Sequence, residues 1–196
     1  MEIYFVTTNN GKVQSLKRDF EKHGISIIQK SINLAEPRSS DVQEIAAAKI
    51  SEAYHLIQKP TIVIDAGFYI TSLNGFPRAF VNFALETIGN EGILKLVEGK
   101  SRECEFRECL AYMDNTLKEP KYFTGRVGGI VSDESKGLMQ SHLWSKLWLI
   151  FVPEMSNKTL AEMTLDEYQA WRKISREQNS PGKMLYSWLS ASGRIH

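Results

Sequence analysis

Ile3-Tyr4-Phe5-Val6-Thr7-Thr8-Asn9-Asn10-Gly11-Lys12, followed by Val13, Leu16 and Phe20, is the stretch whose reading decides the fold. Consecutive apolar residues predict a buried strand, and the three-to-four spacing after Lys12 predicts a helix. Between them stand small polar residues, a glycine and a lysine. A buried strand that turns through such a loop into a helix leaves backbone N–H groups and an ammonium aimed at one spot, which is a place to hold phosphate. The Walker phosphate loop is a different pattern. It needs a glycine where Val6 stands and Ser or Thr where Val13 stands.

Outward from this loop, Thr61-Ile62-Val63-Ile64 reads as a central strand that ends in Asp65-Ala66-Gly67. A carboxylate at the carboxy-terminal end of a buried strand stands where α/β sheets place ligands. There it can coordinate Mg²⁺ or activate a water. The same aspartate can equally cap a turn at Gly67. Residues 41–57 predict a helix, opened by a capping box of Ser40 with Gln43 and closed by Lys59-Pro60. Lys49 falls inside the apolar arc of that helix, with Val42, Ile45, Ala46, Ala53 and Leu56. Such a lysine either snorkels out or meets an anion in a polar cleft, and the loop ending in Lys12 favours the cleft. Glu36, in the loop before this helix, is either a solvated charge or the partner of Asp65 in a two-carboxylate magnesium site.

The remaining punctuation alternates strands with helices. Strands are expected at 2–7, 25–28, 104–113 and 122–131, and helices at 11–22, 79–88 and 91–97. A turn is expected at Asn74-Gly75-Phe76-Pro77, and a helix opening at Thr164 with Glu167 as its capping box. Residues 68–71 are expected to pair near Asp65 as a separate short segment. Alternation of this kind predicts an α/β fold with a mixed sheet. The apolar run Leu143–Val152 is either a partner surface or a buried element, and its length favours burial.

Composition narrows the function classes. A chain of 196 residues with net charge +1 is expected to form a single domain, 1–196, without the basic excess of a nucleic-acid or membrane-surface binder. Two cysteines, Cys104 and Cys109, are too few for a disulfide framework and read as free thiols. The start, Met1-Glu2-Ile3-Tyr4, lacks the pattern of a signal peptide, and no run reaches the length of a membrane span. The expectation is a cytoplasmic protein. His23, His55, His142 and His196 show no metal-ligand spacing. Trp144, Trp148, Trp171 and Trp188 read as core or interface, with base stacking as the alternative.

Taken in order, these motifs resemble the inosine triphosphate pyrophosphatase family, which hydrolyses non-canonical purine nucleoside triphosphates. The family's Thr-x-Asn-x-x-Lys loop is matched by Thr7 to Lys12, its Leu-x-Glu element by Leu34-Ala35-Glu36, and its Glu-Ile-x-x-x-Lys helix by Glu44 to Lys49. The central acidic strand and its Leu-x-Gly-x-Pro turn are matched by Ile62 to Gly67 and Leu73 to Pro77. Tyr122 to Val131 is similar to the Phe-x-Gly strand, and Thr159 to Met163 to the Thr-x-Ala-Glu-Met element. The resemblance implies an elongated mixed sheet flanked by helices, with two lobes around a nucleotide cleft, commonly as a homodimer. It implies hydrolysis to a monophosphate and pyrophosphate with Mg²⁺. Thr7, Asn9, Lys12 and Lys49 would bind the triphosphate, Glu36 and Asp65 the metal, and Asp65 with Lys49 would be the catalytic pair.

This sequence also departs from the family pattern. The first of the two acids in the central strand is replaced by Ile64. Of the base-framing Gly-Trp-Asp-Pro-x-Phe-x-Pro element only Phe151 and Pro153 stay in register, leaving Phe151 as the expected contact to substrate. The Ser-His-Arg element is absent, and Arg172, Lys173, Arg176 and Lys183 are candidates to replace it. Three readings follow: an active divergent pyrophosphatase; a sensor that binds deoxyinosine triphosphate and signals to an effector partner, as in bacterial anti-phage complexes; or a structural subunit.

Overall fold

The computed structural model describes residues 1–20, 23–140, 143 and 145–195. Its elements, in order, are β1 (Glu2–Val6), α1 (Asn10–Phe20), β2 (Ser26–Lys30), α2 (Val42–Ile57), β3 (Thr61–Ile70), β4 (Pro77–Arg78), α3 (Val81–Thr87), α4 (Gly89–Leu96), β5 (Glu103–Met113), β6 (Lys121–Val131), β7 (Phe151–Pro153), α5 (Leu165–Asn179) and α6 (Pro181–Ala191). The strands form one sheet in the order β2-β1-β3-β5-β6-β7, with β4 paired to β3. β1 runs parallel to β2 and β3, whereas β4 and β7 pair antiparallel, so the sheet is mixed and the fold is α/β. No helix among the described residues is long and apolar enough to cross a membrane.

The chain forms two compact units. The first comprises 1–66, 108–125 and 179–196; the second comprises 67–107 and 126–178. In the first unit the opening stretch behaves as its spacing predicts. Ile3 and Phe5 of β1 are buried with Val13, Leu16 and Phe20 of α1, Ile62 of β3, Leu110 and Tyr112 of β5, and Leu185 and Leu189 of α6. Each large apolar side chain buried this way contributes roughly 1.5–3 kcal/mol. α2 adds Val42, Ile45, Ala46, Ile50 and Ala53 to the interior, which is the expected stripe except that Ile50 joins it and Leu56 is exposed. In the second unit the core gathers Phe68, Ile93, Leu147, Trp148, Phe151, Leu160 and Tyr168.

Several expectations are corrected. β3 does not end at Asp65 but continues to Ile70, taking in the segment expected to stand apart. Gly67 is a strand residue: a Cβ there would lie 2.7 Å from the Arg78 carbonyl oxygen, so glycine permits close pairing with β4. Asp65 therefore caps no turn. α2 is capped by Asp41 rather than Ser40, the Asp41 carboxylate accepting the Gln43 N–H at 2.7 Å. At α5 the expected capping box forms: Thr164 Oγ1 accepts the Glu167 N–H at 3.2 Å, and Glu167 Oε2 accepts the Thr164 N–H at 2.9 Å. The described residues of the 143–152 run supply core rather than partner surface, with Leu147, Ile150 and Phe151 fully buried. Trp144, His142 and His196, and the expected end of the first helix at residues 21–22, lie outside the described residues.

α6 was not expected from the sequence. Ser180 stands at its N-cap position, with its hydroxyl donating to Asp19 Oδ2 rather than capping the helix, and Pro181 occupies its first turn, a pairing that marks helix starts. The helix docks against α1 because residue 182 is glycine; a Cβ there would stand 2.7 Å from Asp19 Oδ2 and 2.8 Å from Leu16 Cδ1.

Candidate functional site

The loop between β1 and α1 is folded by its own side chains. Thr7 Oγ1 accepts the Asn9 N–H at 3.1 Å, and Asn9 Oδ1 accepts the Lys12 N–H at 3.0 Å, which makes Asn9 the cap of α1. Gln29 of β2 braces the loop from beside, donating from Nε2 to the Thr7 carbonyl at 3.1 Å and to Asn10 Oδ1 at 3.1 Å. With the backbone fixed, Lys12 reaches across to β3 and donates from Nζ to the Ile64 carbonyl at 2.9 Å. The two stretches that stood out in the sequence thus meet at one peptide group.

One residue further along β3, Asp65 meets α2. Lys49 Nζ donates to Asp65 Oδ1 at 2.8 Å and also pairs with Glu36 Oε1. Side-chain exposure is 15% for Lys49 and 11% for Asp65 but 68% for Glu36, so the cluster runs from the interior to the surface. The Lys49 ammonium is not free in solvent; it is paired with two acids, Asp65 and Glu36. Asp65 Oδ2 is buried and, among the described residues, has no hydrogen-bond partner. A buried acceptor left in this state costs about 1–3 kcal/mol until something donates to it or coordinates it.

The electrostatics separate the two lysines. Burial pulls the Lys12 ammonium below the ordinary lysine range, and the charges of Asp65 and then Glu108 only partly oppose this. Burial also works against the Lys49 ammonium, but hydrogen bonding and charge pairing with Asp65, and then Glu36, more than offset it and hold Lys49 above its usual value. Glu108 of β5 and Gln29 of β2 were not singled out in the sequence. The only signal for Glu108 was an acid inside a strand with a buried neighbour, Cys109.

Thr7, Asn9, Lys12, Glu36, Lys49 and Asp65 all belong to the first compact unit. Phe151 belongs to the second and is fully buried there, its ring edge-on to Phe106 at 4.9 Å and to Phe68 at 6.0 Å. A ring with no exposed surface packs a core and offers no face to a nucleobase. Among the described residues, no group of three or more His, Cys, Asp or Glu stands close enough together to hold a metal. The two carboxylates flanking Lys49 suit a cation that also draws on phosphate oxygens and waters, as Mg²⁺ does.

Comparison with known proteins identifies the relatives of this chain. The family model described as the Ham1 family matches residues 3–178. A dITP/XTP pyrophosphatase of Thermococcus kodakarensis is 33% identical over 168 residues, covering 85% of this chain and 88% of that protein. One from Pyrococcus horikoshii is 32% identical over 194 residues, covering 98% of each. The solved structure of a HAM1 protein from Coxiella burnetii superposes with a TM-score of 0.81 at 21% identity, over 97% of this chain and 99% of that one. The Staphylococcus aureus Ham1 protein does so with a TM-score of 0.78 at 22% identity, over 98% and 100%.

Proposed function

Because the chain belongs to the Ham1 family, as expected of an inosine triphosphate pyrophosphatase relative, we propose that it hydrolyses a non-canonical purine nucleoside triphosphate of the inosine or deoxyinosine type. Water attacks the phosphate chain, one phosphorus–oxygen bond breaks, and monophosphate and pyrophosphate leave. The observation that carries this reading is the meeting of Lys49 with Asp65, whose second carboxylate oxygen is buried and, among the described residues, has no hydrogen-bond partner. That oxygen fits a metal ligand or the acceptor for an attacking water.

Each residue then has a distinct task. The Thr7–Asn9–Lys12 loop presents a pre-ordered backbone to the phosphate chain, and Lys12 adds a charge. Lys49, released from part of its pairing with Glu36 and Asp65, turns its ammonium to phosphate oxygens. Glu36 and Asp65 would hold Mg²⁺, which would neutralise phosphate charge and ease the approach of a nucleophile. Asp65 also orients the water and accepts its proton. Residues 1–196 are read as one domain working in a reducing, cytoplasmic setting, a reading supported by two free, buried cysteines. A homodimer is the assembly in keeping with this family, and the exposed rings of Phe80 and Phe83 offer it an apolar surface.

A second reading, the nucleotide sensor working with an effector partner, is favoured by Ile64 standing where the family carries an acid. One experiment separates the two: binding of inosine, deoxyinosine, xanthosine and ordinary triphosphates with Mg²⁺, with pyrophosphate release followed in the same tube. Binding with release supports the pyrophosphatase, binding without release supports the sensor, and no binding removes both.

A further inference from the structure

Ile27 of β2 packs in one core with Phe5 of β1 and Leu16 of α1. Side chains along a strand alternate between faces, so the next residue of β2 on that inward face is Gln29, level with Phe5 in the β1–β2 register. A half-buried amide thus stands where the strand's apolar face runs out, at the edge of the loop between β1 and α1. Both of its N–H groups are committed to that loop. Gln29 Nε2 donates to the Thr7 carbonyl at 3.1 Å and to Asn10 Oδ1 at 3.1 Å. A backbone carbonyl can only accept, which fixes the amide in the donating orientation. The Thr7 N–H donates in turn to the Lys30 carbonyl at 3.0 Å. Consecutive residues of β2 therefore hold the peptide groups on either side of Thr7.

What this grip holds in place is the start of α1. A helix opens with four N–H groups that its own turns do not satisfy. Side chains take two of them here: Thr7 Oγ1 accepts the Asn9 N–H at 3.1 Å and Asn9 Oδ1 accepts the Lys12 N–H at 3.0 Å. The N–H groups of Asn10 and Gly11 have no acceptor among the described residues. From this arrangement we infer that Gln29 is a positioning residue for the phosphate chain. By tying Thr7 and Asn10 to β2, it keeps the amides of Asn10 and Gly11 set for phosphate oxygens before the nucleotide arrives. Gln29 itself touches no phosphate. A loop that had to be ordered by its ligand would give up part of the binding energy to that ordering, and a loop already held by a strand does not.

The inference rests on the triphosphate reading above, and its test keeps the two apart. Binding of a non-hydrolysable deoxyinosine triphosphate analogue with Mg²⁺ is measured by calorimetry for the parent, Gln29→Met, Asn10→Ala and Ile27→Val, with thermal melts of the same samples. Met keeps the length of the side chain and removes both donors. Asn10→Ala removes one of the two bonds from the exposed side and leaves β2 untouched. Ile27→Val loosens the same strand without touching the loop. Gln29→Met is expected to weaken the analogue on the order of tenfold, and Asn10→Ala about threefold, the worth of two and of one hydrogen bond. Ile27→Val should melt lower and bind as the parent does. In the free proteins, hydrogen exchange at the Asn9 and Lys12 amides should quicken in Gln29→Met and not in Ile27→Val, because their acceptors sit on the loop that Gln29 holds. Parent-like affinity in Gln29→Met or in Asn10→Ala, or a loss in Ile27→Val as large as in Gln29→Met, overturns the inference and leaves the triphosphate reading standing. A parent protein that does not bind the analogue overturns both.

Discussion

At the scale of single residues, position and partner decide what a charge can do. Asp65 and Asp114 are both buried aspartates, yet their environments differ. Asp114 is fully satisfied: it accepts from the Tyr112 hydroxyl at 2.8 Å, from Thr116 Oγ1 at 2.7 Å and from Arg194 at 3.2 Å. Burial pushes its carboxyl up, but the bonds from Thr116, Tyr112 and Arg194 outweigh it and hold the group below the ordinary carboxylate range. Its contribution to stability is therefore complete above that ordinary value and fades as pH falls towards the depressed one. Asp114→Asn should cost about 1–3 kcal/mol at neutral pH, with parent and variant converging in strong acid; urea melts at both pH values test this. Asp65 has one buried oxygen with no hydrogen-bond partner among the described residues. Asp65→Asn should lower pyrophosphate release on the order of a hundredfold or more, as for loss of a general base, while the thermal melt stays close to the parent. Turnover unchanged in that variant would remove Asp65 from the mechanism. Lys49→Ala should weaken triphosphate binding more than monophosphate binding, and equal losses would contradict its role on the phosphate chain.

At the scale of elements, the sequence was legible wherever local chemistry decides the outcome. β1, α1 and α2 follow from apolar runs and helical spacing, and the capping box at Thr164 follows from two side chains three residues apart. Lys12, Lys49 and Asp65 were legible as candidates because each sets a charge against an apolar run or stripe, whereas Glu36, in a loop, stood out only as a possible partner of Asp65. What escaped was set by tertiary contacts. Gly67 reads as a turn but serves the close approach of β4, and α6 carries a Ser180-Pro181 start signal but docks on α1 through Gly182, a contact distant in sequence. Glu108 went unnoticed because Lys12, which its charge reaches, lies far away in the sequence. β5 also decides the state of the thiols. Burial pushes the Cys109 thiol up to about 11, with the Asp65 charge adding to it against a hydrogen bond from Thr124. Cys104 is raised further, again chiefly by burial and then by Glu105. Since the thiolate is the reactive form, the folded protein at pH 8 should react with a thiol reagent about a hundredfold more slowly than the urea-unfolded chain. Folded thiols that react as fast as unfolded ones would contradict this burial. The linkage has the same sign: stability is intact below the ordinary thiol value and declines as pH rises from there through 11.

At the scale of the whole molecule, the division into two units makes the triphosphate reading directly testable. Every residue assigned to phosphate or cation lies in the unit formed by 1–66, 108–125 and 179–196. Phe151, the one expected base contact, lies in the other unit and is spent on its core. Recognition of the phosphate chain should therefore survive removal of the nucleoside altogether. Inorganic triphosphate with Mg²⁺, at a hundred times its dissociation constant, would stabilise the native state by about 2.7 kcal/mol. For a chain of this length that corresponds to a rise in melting temperature of about 5–10 °C. Hydrogen exchange under the same conditions should slow at residues 7–12, around Glu36 and Lys49, and along 62–66. A core residue such as Leu147 in the second unit should respond only as far as global opening becomes rarer. Protection by a full nucleotide but none by inorganic triphosphate would mean that the base, rather than the phosphate chain, supplies the binding energy. The assignment of Lys12 and Lys49 would then fall with it, because two lysines placed for the phosphate chain must respond to that chain alone.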